Sequence, residues 1–304
     1  MTGSLYDHAA ALHEQFPDSP LPRDGSPYPD DERYRGAHRS NDYRSEGIDV
    51  AAALDAYFAS RTMQVEELAE TLAGLDVPIH HNEHIAAAAL RADSDRVRRT
   101  GRRLVRHGHD RRAVVVGLAL LATDNDERDI PLIRTIGLLS NYFGPMAARA
   151  LRRRRHGTEA LTWLGDRTAG WGRVYVVEAL CKSGIARPWL LRHACDGDTL
   201  NGYFAAKVAT AAHLHAAMTC EDVDEEVVDH TGRLLSVMTW CSGMGMDLWD
   251  YPAAAPVVEA YARHVDRLPR TDVRMRCRVH LAESLQKIPL TGLNTSTVVA
   301  ALLG

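Results

Sequence analysis

From about residue 49 onward, apolar residues recur with the spacing of helices. Val97, Gly101, Leu104 and Val105 fall at positions i, i+4, i+7 and i+8, which places them on one face of a helix. Arginine occupies most of the remaining surface of this segment, at Arg98, Arg99, Arg102, Arg103 and Arg106. This segment predicts an amphipathic helix. Alternating apolar runs, which would predict strands, are nearly absent.

Glycine and proline interrupt this periodicity every 10 to 18 residues or so. Gly108 and Gly184 follow apolar-periodic segments and predict helix ends, because glycine is common just past a helix. Proline is tolerated in the first turn of a helix, where a backbone N–H has no partner in any case. The prolines expected in first turns are Pro131, Pro145, Pro188 and Pro256.

Four segments look like variants of one unit with a polar start, a Val-Arg step or Ala-rich stretch, and a final leucine. They lie at residues 95–104, 144–151, 173–180 and 272–281. This unit resembles the second helix of HEAT repeats, including the short HEAT-like units of phycobilisome lyases. The resemblance implies an all-α, right-handed α-solenoid of roughly six helix pairs of about 40 residues each. A compact helical bundle is the alternative fold.

The first 48 residues differ from the rest, being poor in aliphatic residues and rich in Pro, Asp, Arg, Ser and Gly. Such a composition buries too little apolar surface to offset the entropy cost of ordering. We therefore expect residues 1–48 to form a poorly structured arm and residues 49–304 to form the solenoid. If the arm wraps around the solenoid, five aromatic residues are plausible anchors: Tyr6, Phe16, Tyr28, Tyr34 and Tyr43.

Composition limits the classes of function. The 304 residues carry a formal net charge of -4, so the whole chain offers no general attraction to nucleic acid or anionic membranes. The five cysteines include no C-x-x-C pair, which argues against a disulfide framework or a zinc knuckle. No cationic start with an apolar run opens the chain, and no membrane-length apolar stretch follows. A cytoplasmic protein is expected, and the excess of arginine over lysine is typical of GC-rich bacterial genomes such as those of actinobacteria.

Charge is segregated along the chain. Residues 91–112 contain nine arginines against three aspartates, and Arg149 with residues 152–155 forms a second basic cluster. Residues 221–250 contain eight acids against Arg233 alone. The basic segments are either solvated helix faces or an anion-binding groove, since arginine presents a planar fork to phosphate or carboxylate. The groove hypothesis rests on Arg98, Arg102, Arg152 and Arg153.

Aromatic and acidic residues follow the second basic cluster. The candidate ligand-binding residues among them are Trp163, Asp166, Trp171, Tyr175 and Trp189. Such a set beside arginines is similar to that of the HEAT-like alkylpurine DNA glycosylases, whose concave face holds tryptophans and an aspartate. The likeness is an analogy without a contiguous motif, so no catalytic residue is carried over. Tryptophans at helix junctions are also common packing residues.

Two further segments carry candidate chemistry. Asp247 and Trp249 lie in a glycine-containing connection at residues 241–251, a composition that occurs in functional loops. The histidine cluster at residues 80–84 lacks the order of the H-E-x-x-H zinc motif, and helix capping is the simpler interpretation. No phosphate-binding loop, nicotinamide fingerprint or kinase signature occurs. The sequence therefore assigns no catalytic residue, metal ligand or cofactor.

The function that the sequence favours is a non-catalytic binding or scaffold protein. Its concave surface would hold a peptide, a partner protein or an anionic ligand, because solenoids present extended surfaces of this kind. Protein or peptide partners are expected first, with an anionic ligand or nucleic acid as alternatives and no membrane. A HEAT-like nucleic-acid binder or alkylpurine DNA glycosylase remains the alternative function. A lyase or chaperone for a cofactor-bearing partner is the third.

Overall fold

A computed structural model describes residues 3–35 and 46–304. Within these residues every regular element is helical, which confirms the all-α prediction. The chain divides into two compact units, Met1–Ala179 and Leu180–Gly304. None of the helices described is both long enough and apolar enough to span a membrane.

The first unit contains eleven α-helices in its described residues, the last of which ends one residue beyond the unit. They are α1 (Leu5–Gln15), α2 (Asp31–Tyr34), α3 (Ile48–Ala59), α4 (Val65–Ala73), α5 (Glu83–Arg91), α6 (Ser94–His107), α7 (Arg111–Leu121), α8 (Ile130–Ile136), α9 (Ser140–Arg152), α10 (Gly157–Gly165) and α11 (Gly170–Leu180). The helices of the second unit are α12 (Arg187–Leu190), α13 (Ala205–Ala211), α14 (Leu214–Met218), α15 (Glu225–Met238), α16 (Ala254–Val265), α17 (Asp272–Lys287) and α18 (Thr295–Leu303).

The helix boundaries follow local chemistry. Helix α6 begins after Asp93, whose side chain accepts from the backbone N–H of Arg96, and ends at Gly108 as predicted. Helix α7 begins after Asp110, whose side chain accepts from the N–H of Arg112. The apolar face predicted for α6 is buried.

The prediction that Pro145 lies in a first turn is wrong, because α9 begins at Ser140 and Pro145 lies inside it. The additional N-terminal turn has a cap from a distant segment. The Asp24 carboxylate accepts from the backbone N–H groups of Ser140 and Asn141 at 2.9 and 2.8 Å. A cap that comes from far along the chain leaves no local signal in the sequence.

Helix α7 is the centre of the first unit. Eight of its eleven residues are buried, and it contacts α4, α5, α6 and α9. Its contact with α6 is close because Gly101 faces Gly117, where an added Cβ would come within 3.0 Å of the opposite backbone or side chain. From α3 to α10, the main contacts of each helix are with helices one to three places away along the chain.

The described part of the predicted arm is helical and packed, which differs from the expectation of a poorly structured segment. Leu5 and Ala9 of α1 are fully buried, and α1 contacts α6 and α8. Three of the proposed anchors make the expected kind of contact: Tyr28 is buried, Tyr34 donates to Asp110 at 2.6 Å, and Tyr6 lies under the Arg106 guanidinium. Tyr43 lies outside the described residues.

The polar residues of this segment hold it against the rest of the first unit, because they form ion pairs and hydrogen bonds with residues there. Arg111 holds both Asp30, at 2.6 Å, and Asp31. Its guanidinium also lies over the rings of Tyr28 and Tyr34. The composition of this segment predicted too little apolar surface for it to be ordered. Charge-assisted hydrogen bonds supply stabilisation that a count of apolar residues does not include.

The second unit is organised around α15, which contacts α13, α16 and α17. Arg278 of α17 is 2% exposed. It donates to the carbonyl oxygens of Leu302 and Ala301 at 2.7 and 2.8 Å. These carbonyls belong to the last turn of α18, where intrahelical partners are missing, so Arg278 caps that helix.

Candidate functional site

Arg98 and Arg102 belong to a charge-compensated network. Arg98 donates to Asp124, and Arg102 donates to Asp126 and Asp129 at 3.0 and 2.5 Å. Burial alone would raise the pKa of Asp124, but hydrogen bonds from Arg98 and from backbone N–H groups outweigh it and lower that pKa. These two arginines therefore already have anionic partners within the chain.

The charge count over residues 91–112 does not include these aspartates, because they lie in the connection between α7 and α8.

Arg154 also has a structural role. It is 4% exposed and donates to the carbonyl oxygens of Ala150 and Leu121 at 2.6 and 3.2 Å. Arg98, Arg102 and Arg154 thus form hydrogen bonds with carboxylates or backbone carbonyl oxygens of the chain itself. They leave little positive charge for a ligand.

Arg149, Arg152 and Arg153 behave differently. Arg152 and Arg153 are exposed, and no carboxylate of residues 3–35 or 46–304 forms an ion pair with any of the three. Burial lowers the pKa of Arg149, and repulsion from Arg152 and Arg153 lowers it further. Attraction to the Glu83 carboxylate acts in the opposite direction and raises that pKa. Three positive charges with one carboxylate nearby still attract an anion.

Arg149 and Arg153 border a cleft of about 210 Å³ in the first unit. The segment before α5 contributes His80 and His81, and α5 itself contributes Glu83. Apolar residues of α7, of its C-cap and of α9 complete much of the lining: Val115, Val116, Ala119, Ala122 and Met146. We call this the arginine cleft. Its apolar walls strengthen the electrostatic interactions of the charged groups at its edge.

His81 faces two conflicting partners in this cleft. Its Nε2 lies 3.0 Å from a guanidinium nitrogen of Arg149 and 2.9 Å from a carboxylate oxygen of Glu83. Nε2 accepts from Arg149 only when it is deprotonated, and donates to Glu83 only when it is protonated. One of the two contacts is therefore unsatisfied in either state. A bound anion would accept from Arg149 while His81 keeps its bond to Glu83.

Tyr175 and Trp171, two of the candidate residues from the sequence, lie beside the cleft next to His80. The rings of Tyr175 and His80 meet edge to face with centroids 5.5 Å apart. Trp171 stacks on Tyr175 with centroids 6.1 Å apart and an interplanar angle of 25°. Trp171 is 40% exposed, which is high for a tryptophan.

Trp163 lies in a different environment. The guanidinium groups of Arg134 and Arg167 lie 4.2 and 4.4 Å from its ring centroid, and His13 contacts it edge to face. Burial lowers the pKa of Arg134, and repulsion from Arg167 adds to this effect. Asp166 is exposed directly after α10. Trp163 thus helps to hold α1 and α8 beside α10.

The remaining candidates belong to the second unit. Trp189 contacts the ring of His193 with centroids 6.0 Å apart. Asp247 accepts from the backbone N–H groups of Trp249 and Asp250 at 3.0 and 3.2 Å, so it orders its own loop. Trp249 donates through Nε1 to the carbonyl oxygen of Ile288 at 3.0 Å. Asp247 and Trp249 therefore have structural contacts that account for them.

Sequence reasoning did not single out His80, His81 and Arg149 as ligand-binding residues. A signal existed for Arg149, since Arg149 and Arg153 are four residues apart and lie on one helix face. No sequence signal could have placed His80 beside Tyr175, because that contact joins segments 95 residues apart. In the described residues, no group of three or more His, Cys, Asp or Glu side chains could hold a metal ion.

Comparison with family models, curated proteins and solved structures finds no match to this chain.

Proposed function

We propose that the chain is a non-catalytic binding protein whose first unit holds an anionic ligand in the arginine cleft. The observation that carries this proposal is the cluster of Arg149, Arg152 and Arg153, none of which forms an ion pair with a carboxylate of the described residues, whereas Arg98 and Arg102 both do. Phosphate or carboxylate would match their planar donors. Among the described residues, Glu83 is the only acid in the lining of the cleft, and its carboxylate lies 2.9 Å from His81 Nε2.

The local order of helix contacts supports a related proposal about architecture. We propose that each unit, apart from α1 in the first, is a short stack of HEAT-like helix pairs, because the other helices contact mainly those one to three places away along the chain. A compact bundle would bring together helices more distant in sequence. The binding function does not depend on this proposal.

Binding of inorganic phosphate and pyrophosphate to the full chain tests the function. We expect calorimetry at low ionic strength to show binding that weakens as salt rises, because exposed charges are screened. The double variant Arg149→Gln and Arg153→Gln should lose about tenfold or more in affinity. Its stability without ligand should be unchanged or higher, because two mutually repelling charges are removed.

The matched control is Arg99→Gln. Arg99 is also exposed and without an ion pair among the described residues, but it lies on α6 outside the arginine cleft. This variant should bind both anions as wild type does. Equal binding by the double variant, or no binding by wild type at low ionic strength, would show that the cluster is only a solvated surface.

The glycosylase alternative requires Trp163, Asp166 and Trp171 to act on one nucleotide. The contacts of Trp163 with Arg134, Arg167 and His13 give it a packing role, which does not favour this alternative. Release of a base from alkylated DNA is the assay that would revive it.

A further inference from the structure

The size of the arginine cleft restricts how a ligand can lie in it. Pockets that enclose a whole small organic ligand usually measure about 300–1,000 Å³. At about 210 Å³, this cleft is smaller than that range. It therefore accommodates the charged group of a ligand, and the rest of the molecule must lie at the rim.

The rim beside His80 leads to the aromatic pair formed by Tyr175 and Trp171. His80 lines the cleft, Tyr175 contacts His80, and Trp171 stacks on Tyr175. An aromatic surface thus begins at the cleft and ends at a tryptophan that is 40% exposed. Such a surface favours a planar ring, because stacked aromatic rings attract each other and exclude water.

The aromatic pair is held firmly against the helix that carries the arginines. An added Cβ on Gly172 would fall 1.8 Å from Ser140 Oγ, and one on Gly144 would fall 3.2 Å from Cδ2 of Tyr175. Helices α9 and α11 therefore meet closely at these two glycines. The backbones of the helix that carries the arginines and of the helix that carries the aromatic pair are therefore held together where the two helices touch.

We infer that the arginine cleft and the Trp171–Tyr175 pair together form a binding site for a nucleoside phosphate. The phosphate lies against Arg149 and Arg153, and the base stacks on Trp171. The ribose supplies the spacer, since the His80 and Tyr175 rings stand between the cleft and Trp171. This inference rests on the proposed anion-binding function and adds a ring-binding element to it.

Two other phosphate ligands fit the geometry less well. In phosphotyrosine the ring is joined directly to the phosphate, so no spacer separates the two groups. In a sugar phosphate no ring can stack. Stacking is tolerant of base identity, because every base has a π-face, so we expect little preference among the four bases.

The test compares AMP, ribose 5-phosphate and phosphotyrosine by calorimetry on the full chain at low ionic strength. AMP should bind about tenfold more tightly than either of the others, as stacking of one base typically contributes that order of affinity. Trp171→Ala should remove the advantage of AMP and leave ribose 5-phosphate binding unchanged. Trp171→Phe keeps a stacking ring and should retain most of the preference.

The matched control is Trp240→Ala. Trp240 is also 40% exposed but belongs to the second unit, so its replacement should change neither affinity. The salt dependence of binding to a ten-nucleotide single strand shows whether the ligand is a free nucleotide or part of a nucleic-acid strand. A salt dependence like that of AMP indicates a free nucleotide, and a much steeper one indicates a strand with several phosphate contacts. Either result supports the proposal that the site binds a nucleoside phosphate.

Failure of the inference is distinguishable from failure of the proposed function. Equal affinities for AMP and ribose 5-phosphate, or tighter binding of phosphotyrosine than of AMP, would overturn the inference while anion binding stands. Unchanged AMP binding by a folded Trp171→Ala variant would overturn it as well. Absence of binding by all phosphate ligands would remove both proposals.

Discussion

At the scale of single residues, the meaning of a charge depends on its partners in space. Arg98 and Arg153 look alike in the sequence, and both lie in basic clusters. In the structure Arg98 forms ion pairs with Asp95 and Asp124, whereas Arg153 is exposed beside the arginine cleft. The first arginine stabilises the fold, and the second is available to a ligand.

Replacement of Asp124 by Asn should therefore destabilise the protein in a pH-dependent way. The folded-state pKa of Asp124 is lowered, so its stabilising effect is fully present above its unfolded pKa, near 4, and is lost as pH falls through the folded value. We expect a loss of about 1–3 kcal/mol at pH 7, because a hydrogen bond between charged groups is removed. Urea unfolding at several pH values between 7 and 2.5 measures it.

The difference between wild type and Asp124→Asn should shrink steadily below about pH 4. A difference that stays constant down to pH 2.5 would mean that the ionised carboxylate contributes nothing to folding. Replacement of Asp18 by Asn is the matched control, because Asp18 also pairs with an arginine but its side chain is 87% exposed. That variant should lose well under 1 kcal/mol at any pH.

At the scale of elements, close contact between helices depends on small residues. Helices α6 and α7 approach each other at Gly101 and Gly117. An added Cβ on Gly117 would lie 2.8 Å from Cβ of Leu104 and 2.9 Å from Cγ2 of Val105. Both of these side chains are buried and have no room to move aside.

Gly117→Ala should thus destabilise the protein, although alanine favours a helix by about 1 kcal/mol over glycine. Overpacking of a core typically costs about 1–3 kcal/mol of stability. Here the added methyl group must push α6 and α7 apart. The free energy of unfolding in urea measures the outcome. Gly184→Ala is the control, since an added Cβ at Gly184 meets nothing within 4 Å. A Gly117→Ala protein more stable than wild type would show that the helices separate at no cost.

At the scale of the whole chain, the described residues before α3 complete the first unit. Arg111 connects them to α7, since it forms ion pairs with Asp30 and Asp31. The Asp30 side chain is only 4% exposed, and that of Arg111 only 13%. Removing one partner of a buried ion pair leaves a charge without compensation, which is strongly destabilising.

Arg111→Gln should lower the free energy of unfolding by about 3–5 kcal/mol and speed proteolytic cleavage within residues 3–35. Arg106→Gln is the matched control. Arg106 also binds this segment, through Asp7, but both side chains are about half exposed and the pair should contribute about 0–1 kcal/mol. Cleavage of Arg111→Gln at the wild-type rate would show that other contacts hold the segment.

Helix content and several helix boundaries could be predicted from the sequence itself. The apolar face of α6, its end at Gly108 and the first-turn position of Pro131 all depend on residues within a turn or two of each other. Periodicity and capping are local, so a single sequence is sufficient to predict them.

Only the tertiary structure decided which of these residues are available for function. Asp24 caps α9 from more than a hundred residues away, Asp124 neutralises Arg98, and Tyr175 meets His80. Each contact joins residues that no periodicity relates, and their distance in space follows from how helices pack. Charge compensation and the shape of a cleft are properties of that packing, because electrostatic and stacking interactions act over a few ångströms regardless of separation along the chain.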